Sequence, residues 1–224
     1  MNLHRAFIAA GAVVALSALQ PNIAQAAVAN INFDNITIPP INQVGPLLLP
    51  LTYGSTANVS ANWAQPAGNP GVRLWDVGYG TLTNVIYIGD TAPQSLPLTV
   101  TFTAAAGTKI TGYRFDAAHF LEADDNSNKF SYSVTGNSGA YTGFNGSANA
   151  SLTTFSTFSG GFGAFGPLDS LTLKFGPENY YIGFDNFQIE FTAAPVPLPG
   201  TLALIFAGLG IVGSTYRRRA KASN

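Results

Sequence analysis

Cysteine is absent from this 224-residue sequence, and charge is scarce, with Asp, Glu, Lys and Arg together making 9% of it. Without cysteine there are no disulfides, no thiolate metal sites and no thiol nucleophile. A domain of this length can still live outside the cell, held by its core alone. Histidine is nearly missing. His4 sits in an apolar N-terminal segment, which leaves His119 alone in the body of the chain. A zinc site wants several His or Cys ligands, so His119 is expected to be packed or exposed rather than catalytic. Long helical patterns are lacking before residue 200. Basic residues are also few between residues 27 and 194, five against eleven acidic ones, a net of −6. Such a domain repels phosphate backbones, which excludes nucleic acid as a natural partner.

Familiar catalytic patterns are missing too. "GNSGA" lacks the second spacing of a Gly-x-Ser-x-Gly elbow, and "GYGTLT" lacks the last Gly and the Lys of a phosphate loop. "EADDNSNK" places Asp124, Asn126 and Asn128 at the first three ligand positions of an EF-hand. However, Lys129 replaces the required Gly and Thr135 the bidentate Glu. That stretch is expected to be a solvated hairpin loop. A glycosidase needs only two carboxylates, and nothing in the sequence singles out a pair.

What the chain has is alternation. In "PLTVTFTA", Leu98, Val100 and Phe102 oppose Thr99, Thr101 and Thr103. Phe130, Tyr132 and Val134 oppose Ser131 and Ser133. Leu171, Leu173 and Phe175 oppose Thr172 and Lys174. A period of two with one apolar side is the signature of half-buried antiparallel strands. Further strands are expected near 29–38, 58–64, 81–89, 108–121, 150–158 and 180–192, separated by turn signals such as "AGNPG" and "IGDTAP". About ten strands without helices predict an all-β fold, an antiparallel β-sandwich of jelly-roll type, over residues 27–194. Phe155, Phe158, Phe162 and Phe165 have helix-like spacing, but the glycines among them make them expected core anchors of a bent strand and loop.

Phe-Asp occurs three times, in "INFDNITI", "YRFDAAHF" and "IGFDNFQIEF", and the alternation changes phase at each Asp. A one-residue slip is what a β-bulge produces. Asp34, Asp116 and Asp185 are therefore expected at bends. Two readings stand: strand-end hydrogen-bonders, or ligands of a structural cation. Ca²⁺ is the candidate, with Asp34 and Asp185 brought close because the first and last strands of a jelly roll often pair. Aromatic residues beside Gly- and Asn-rich stretches suit stacking on sugars. Trp63 and Trp75 are the foremost candidates, with Tyr53, Tyr79, Tyr141 and Phe144 beside them.

Both ends carry addresses. Arg5, the apolar run Ala6 to Leu19, and Ala24 and Ala26 at the −3 and −1 positions form a secretory signal peptide, residues 1–26, cut after Ala26. At the other end, prolines 195, 197 and 199 make a stiff spacer. Sixteen uncharged residues, Thr201 to Tyr216, follow, and then Arg217, Arg218 and Arg219. As a helix the run would span about 24 Å against a hydrocarbon core of about 30 Å. This predicts a short single transmembrane helix with its arginines cytoplasmic.

The order Val196-Pro197-Leu198-Pro199, apolar helix, arginine cluster resembles the PEP-CTERM sorting signal, with Leu198 where the usual motif has Glu. The resemblance covers residues 195–219. It implies an exosortase-type membrane protease as partner, transient residence in the inner membrane, and delivery to the cell surface or extracellular matrix. Many proteins of that class have a β-sandwich body that opens on Phe-Asp and closes on Asp-Asn. The expected function is that of a non-enzymatic surface protein, with exopolysaccharide and Ca²⁺ as candidate ligands. A polysaccharide-acting enzyme with the same tail, or a plainly anchored surface protein, are the alternatives.

Overall fold

The alternating stretches become strands, and their apolar sides meet. The computed structural model describes residues 26–37, 47–64, 72–87, 97–121, 128–176 and 181–193. Twelve strands occur among them: β1 (Ala26–Ile31), β2 (Leu47–Leu48), β3 (Val59–Ala64), β4 (Arg73–Trp75), β5 (Val85–Tyr87), β6 (Leu98–Ala104), β7 (Thr108–His119), β8 (Lys129–Gly136), β9 (Tyr141–Asn149), β10 (Ser156–Gly161), β11 (Ser170–Phe175) and β12 (Ile182–Ala193). They belong to one compact unit, Ala24–Ala194. The expected signal segment up to residue 25, Ala24 included, lies outside the described residues. So do the residues of the expected sorting motif, Val196, Pro197, Leu198, Pro199, Arg217, Arg218 and Arg219. Among the described residues no helix is long and apolar enough to cross a membrane.

Two antiparallel sheets form. One has the order β10-β7-β12-β5-β4-β2, with β1 also paired to β12. The other has the order β3-β6-β11-β8-β9. Most connections change sheet, and the first and last strands pair, Ala26 opposite Thr192 through Ile31 opposite Phe187. The expected sandwich is therefore present. Its core lies between the sheets. Trp63, Phe102, Phe130 and Phe175 come from the five-stranded side, and Phe115, Phe184, Phe187 and Ile110 from the seven-stranded side, all essentially inaccessible. Burying side chains of this size contributes about 1.5–3 kcal/mol each before entropy is charged against it.

Several boundaries differ from expectation. Residues 29–38 are not one strand: β1 stops at Ile31, and a turn closed by the Ile36 N–H on the Phe33 carbonyl follows. Residues 150–158 are not one strand either. The chain forms β9 earlier and β10 later, with a bend at 152–154 between. β7 and β8 lie in different sheets and so do not form a hairpin with each other, and the acidic residues 122–127 between them lie outside the described residues. β8 and β9 do form a hairpin, turned by Asn137 and Ser138 in the left-handed region (φ 47° and 56°). The Asn137 Oδ1 accepts the Asp169 and Ser170 N–H groups and ties that turn to β11.

The seven-stranded sheet carries a second apolar cluster on its outer face. Tyr79, Leu82, Val85, Tyr87 and Ala118 are buried there, with Trp75 and Phe120 packed against them. β5 is consequently buried on both faces.

Candidate functional site

Two places gather chemistry. The first is where β12 changes neighbours. β7 runs along one edge of β12. Along the other edge β5 pairs with Gly183 and Phe184, and β1 takes over from Phe187 onward. Between those ladders β12 carries a bulge. Asp185 faces Asp116 and Gln188 faces Arg114, so β12 holds one extra residue, and Asn186 adopts φ +53°. Asn is the residue type that tolerates this conformation best after Gly. The phase slip expected at Asp185 is therefore a bulge: Ile182 and Phe184 point inward before it, Phe187, Ile189 and Phe191 after it.

The other two Asp residues do not sit at bulges. Asp116 lies in regular β7, where Tyr113, Phe115 and Ala117 all face the main core. Ala118 and Phe120 pack on the second cluster instead, which mimicked a slip in the sequence. The irregularity of β7 falls earlier, between Ile110 and Gly112. Asp34 is exposed in the turn after β1.

The three carboxylates meet different fates. Asp116 is buried but satisfied: the Thr157 hydroxyl donates to Oδ1 at 2.6 Å, the Asn186 amide donates to Oδ2 at 3.1 Å, and Arg114 stands 3.6 Å away. Asp185 is 2% exposed and accepts backbone N–H groups from Asn186 and Phe33, yet its Oδ1 has no hydrogen-bond partner. Burial pushes its carboxyl up to about 7, and the nearby Asp34 and Asp116 charges add to this against the two backbone donors. Asp34 accepts the Thr83 hydroxyl on Oδ1 at 2.8 Å. Burial, followed by the Asp185 and Asp34 charges, raises the Tyr53 phenol. The trio is not a three-carboxylate metal centre. No group of three or more His, Cys, Asp or Glu is disposed to hold a metal among the described residues.

The second place is the side of the sandwich where β9, outermost in its sheet, approaches β10, outermost in the other, at Tyr141 and Gly161. Phe158 of β10 reaches Phe130 and Tyr132 of β8 at 5.2 and 5.9 Å, and the Tyr141 hydroxyl points to the Gly161 carbonyl at 3.5 Å. A bulge in β9 re-aims its rings: Ser133 faces Asn145 and Thr135 faces Thr142, leaving one extra residue on β9. Phe144 then stacks on Tyr132 with centroids 4.2 Å apart and planes at 17°, and stays 40% exposed. Tyr141 packs against Phe162 and Phe165 at 5.2 and 5.3 Å, and Phe165 is 49% exposed. Glycines make room for these rings. A Cβ on Gly143 would stand 2.7 Å from the Tyr141 hydroxyl, and one on Gly146 would touch the Phe144 ring. The Tyr113 and Tyr132 hydroxyls hydrogen-bond to each other, and burial pushes both phenols up, so they remain neutral donors. Exposed rings beside the polar side chains of Thr142 and Asn145 present what a sugar needs, an apolar face with hydrogen-bonding groups at its rim.

The tryptophan expectation is corrected in part. Trp63 is fully buried, edge-on to Phe33, Phe102 and Phe187, with its indole N–H donated to the Tyr53 carbonyl at 2.8 Å. It is core and cannot touch a ligand. Trp75 is half-buried against Tyr87 and Phe120. Of the four phenylalanines expected in the core, Phe162 is buried and Phe158 half-buried, but Phe155 and Phe165 are exposed. His119 is buried, near the Tyr181 ring. The signal for the aromatic edge was present in "YTGFNG", two rings each followed two residues later by Gly.

These features define the class as an all-β sandwich with an aromatic edge. No family model matches the chain, and no curated protein does. Solved structures similar to it include the K1 cleaved adhesin domain of Lys-gingipain from Porphyromonas gingivalis W83, at 11% identity and TM-score 0.46, covering 73% of this chain and 97% of that one. Another is TmCBM27, a carbohydrate-binding module with specific mannan recognition, at 11% identity and TM-score 0.40, covering 75% and 98%. A third is the family 11 carbohydrate-binding module from Clostridium thermocellum in complex with a mixed-linked tetrasaccharide, at 15% identity and TM-score 0.32, covering 60% and 96%. At these identities and TM-scores the matches establish neither a family nor a ligand.

Proposed function

We propose that this chain is an exported, non-enzymatic surface protein that binds polysaccharide along the β9–β10 edge of its sandwich. Its own C-terminal segment, PEP-CTERM-like, sorts it from the inner membrane to the cell surface or matrix. The observation that carries the binding reading is the exposure of Phe144 and Phe165 on this edge, with half-buried Tyr141 packed against Phe165 and with Gly143 and Gly146 leaving room for the Tyr141 and Phe144 rings. Rings of this size are costly to leave in water, and exposed apolar surface with a polar rim marks an interaction surface. Three features support the address: the small residues at 24 and 26, the Val-Pro-Leu-Pro spacer, and the arginine cluster after a short apolar run.

Phe144→Ala should abolish retention of the protein on the polysaccharide of its own matrix in affinity electrophoresis, while Trp75→Ala retains more of it. Equal retention of wild type and Phe144→Ala would remove the edge from the reading. For the address, intact mass of surface protein from cells carrying an exosortase should show a form lacking the C-terminal run. Finding full-length membrane-bound chain alone would leave a plain anchor.

The rival enzyme reading has one observation behind it, a carboxyl raised to about 7 beside a second carboxylate, the pattern of a glycosidase acid. Asp185 is 2% exposed and held by two backbone N–H groups, so it does not reach a glycosidic oxygen. Release of reducing ends from polysaccharide, lost in Asp185→Asn, would reverse this choice.

A further inference from the structure

We infer that Asp34 and Asp185 bind one Ca²⁺ ion at the junction where β12 exchanges β5 for β1. The starting point is an imbalance between two neighbouring buried carboxylates. Asp116 has a donor on each oxygen and an arginine within 3.6 Å. Asp185, directly across the ladder and equally buried, has an oxygen that meets no donor. Buried carboxylate oxygens are almost always satisfied, so an orphan in an otherwise well-bonded sandwich marks a missing partner. Asp34 directly follows Phe33, whose backbone N–H donates to the Asp185 carboxylate, and no ion pair joins a cation to either carboxylate among the described residues. Two carboxylates with one uncompensated oxygen and no basic neighbour make a site for a positive ion.

The surroundings select which ion. The turn after β1 sends three backbone carbonyls, those of Phe33, Asp34 and Ile36, to a single point, the Asn84 amide nitrogen, at 3.1, 3.3 and 3.1 Å. That NH₂ group has two hydrogens for three acceptors. The Tyr53 hydroxyl lies within electrostatic reach of both carboxylates. The oxygens of this region are all hard: two carboxylates, the turn's carbonyls, which share the Asn84 amide, and the Tyr53 hydroxyl, which donates to the Asn32 carbonyl at 2.8 Å. No imidazole or thiol joins them among the described residues. Such a set fits Ca²⁺, which accepts six to eight oxygens in loose geometry, and does not fit zinc or copper. With only two carboxylates, water completes the shell, and an affinity at the weak, extracellular end of the calcium range follows. The consequence for the fold is local. An ion here would join the turn after β1 to the bulge of β12 and lock the pairing of the chain's first and last strands.

The test uses the full-length chain in a mild detergent, stripped with EDTA and then titrated with CaCl₂ or MgCl₂, by calorimetry and by melting. At a hundredfold excess over Kd, Ca²⁺ should raise the Tm by about 5–10 °C, and Mg²⁺ by much less. Asp34→Asn changes an exposed turn residue and should fold normally, yet lose at least tenfold in Ca²⁺ affinity. Asp185→Asn should lose the response altogether. Asp169→Asn, which only breaks a surface pair with Lys109, should respond like wild type. A wild-type melting curve indifferent to Ca²⁺ overturns the inference. So does a Ca²⁺ response of unchanged size in Asp34→Asn, which would place the ion elsewhere.

Discussion

The two sheets share one core and differ in nearly everything else. On the five-stranded sheet, buried and accessible residues alternate in β3, β8 and β11 and in β6 up to Thr103. Its strands carry no Asp or Glu among the described residues, and Lys129 and Lys174 are their only charges. On the seven-stranded sheet, β5 is buried throughout and the last half of β7 nearly so. That sheet holds Asp116, Asp185, Glu190, Arg73, Arg114, Lys109 and His119 on its strands, and both bulges of the β7–β12 ladder. A sheet with one face in water needs only a period of two and can be regular. A sheet covered on both faces loses the period, and it is there that polar groups become buried and their pairing decides stability.

The largest expected effect breaks the regular side. Trp63→Ala removes the biggest side chain of the five-stranded sheet from contact with Phe33, Phe102 and Phe187. It also orphans the Tyr53 carbonyl. A loss of about 3–5 kcal/mol follows, read as a fall in urea midpoint. Trp75→Ala, on the covered face of the other sheet but half-buried, should cost about 1–2 kcal/mol. If the two losses were equal, the outer cluster would be a second core rather than a lid on the sheet.

That contrast also explains what was legible in the sequence. Leu98-Thr99-Val100-Thr101-Phe102 announced β6 because water lies on one side of it. Val85-Ile86-Tyr87 gave no alternation, since Ile86 feeds the main core while Val85 and Tyr87 feed the outer cluster. For the same reason the apparent slip at Asp116 misled: Ala117 and Ala118 are both buried, but in different clusters. The slip at Asp185 was real because Phe187, Ile189 and Phe191 return to one core. Trp63 could not be told from a sugar-binding tryptophan, because its depth depends on Phe33 and Phe187, distant in the chain. Phe144 was visible as an aromatic among glycines, but its exposure depends on β9 being an edge, which only pairing order reveals.

The next effect sharpens the comparison on the covered side. The Asp185 carboxyl sits near 7 in the folded protein against 3.8 for an unburdened one, so folding favours its protonated form. Below about pH 4 both states hold the proton, and the group costs nothing. Between about 4 and 7 the unfolded chain releases its proton while the folded one keeps it. Stability in EDTA therefore falls as pH rises through this window, by up to about 4 kcal/mol, and levels off above it. Asp185→Asn should flatten that slope in urea unfolding measured from pH 4 to 8. A wild-type curve without the slope would mean that the buried carboxyl is compensated by groups outside the described residues.

The smallest effect tests whether the outer faces truly differ. Thr101 and Thr172 stand opposite each other on the five-stranded sheet, their hydroxyls 3.1 Å apart and half in water. Replacing both with Val removes donor and acceptor together, so no polar atom is left unpaired, and Val is at least as good a strand former. The double variant should stay within about 0.5 kcal/mol of wild type. The mirror substitution, Val85→Thr, puts one hydroxyl of nearly the same size into the outer cluster of the other sheet, where Val85 is inaccessible. Unless that hydroxyl finds a partner, it should cost about 1–3 kcal/mol. Both are read from urea midpoints at constant slope. Similar values for the two would mean that water reaches the cluster under Tyr79 and Leu82, and the seven-stranded sheet would then be one-sided like its partner. A large loss in the double Val variant would instead mean that the hydroxyl face of the five-stranded sheet packs against something in solution.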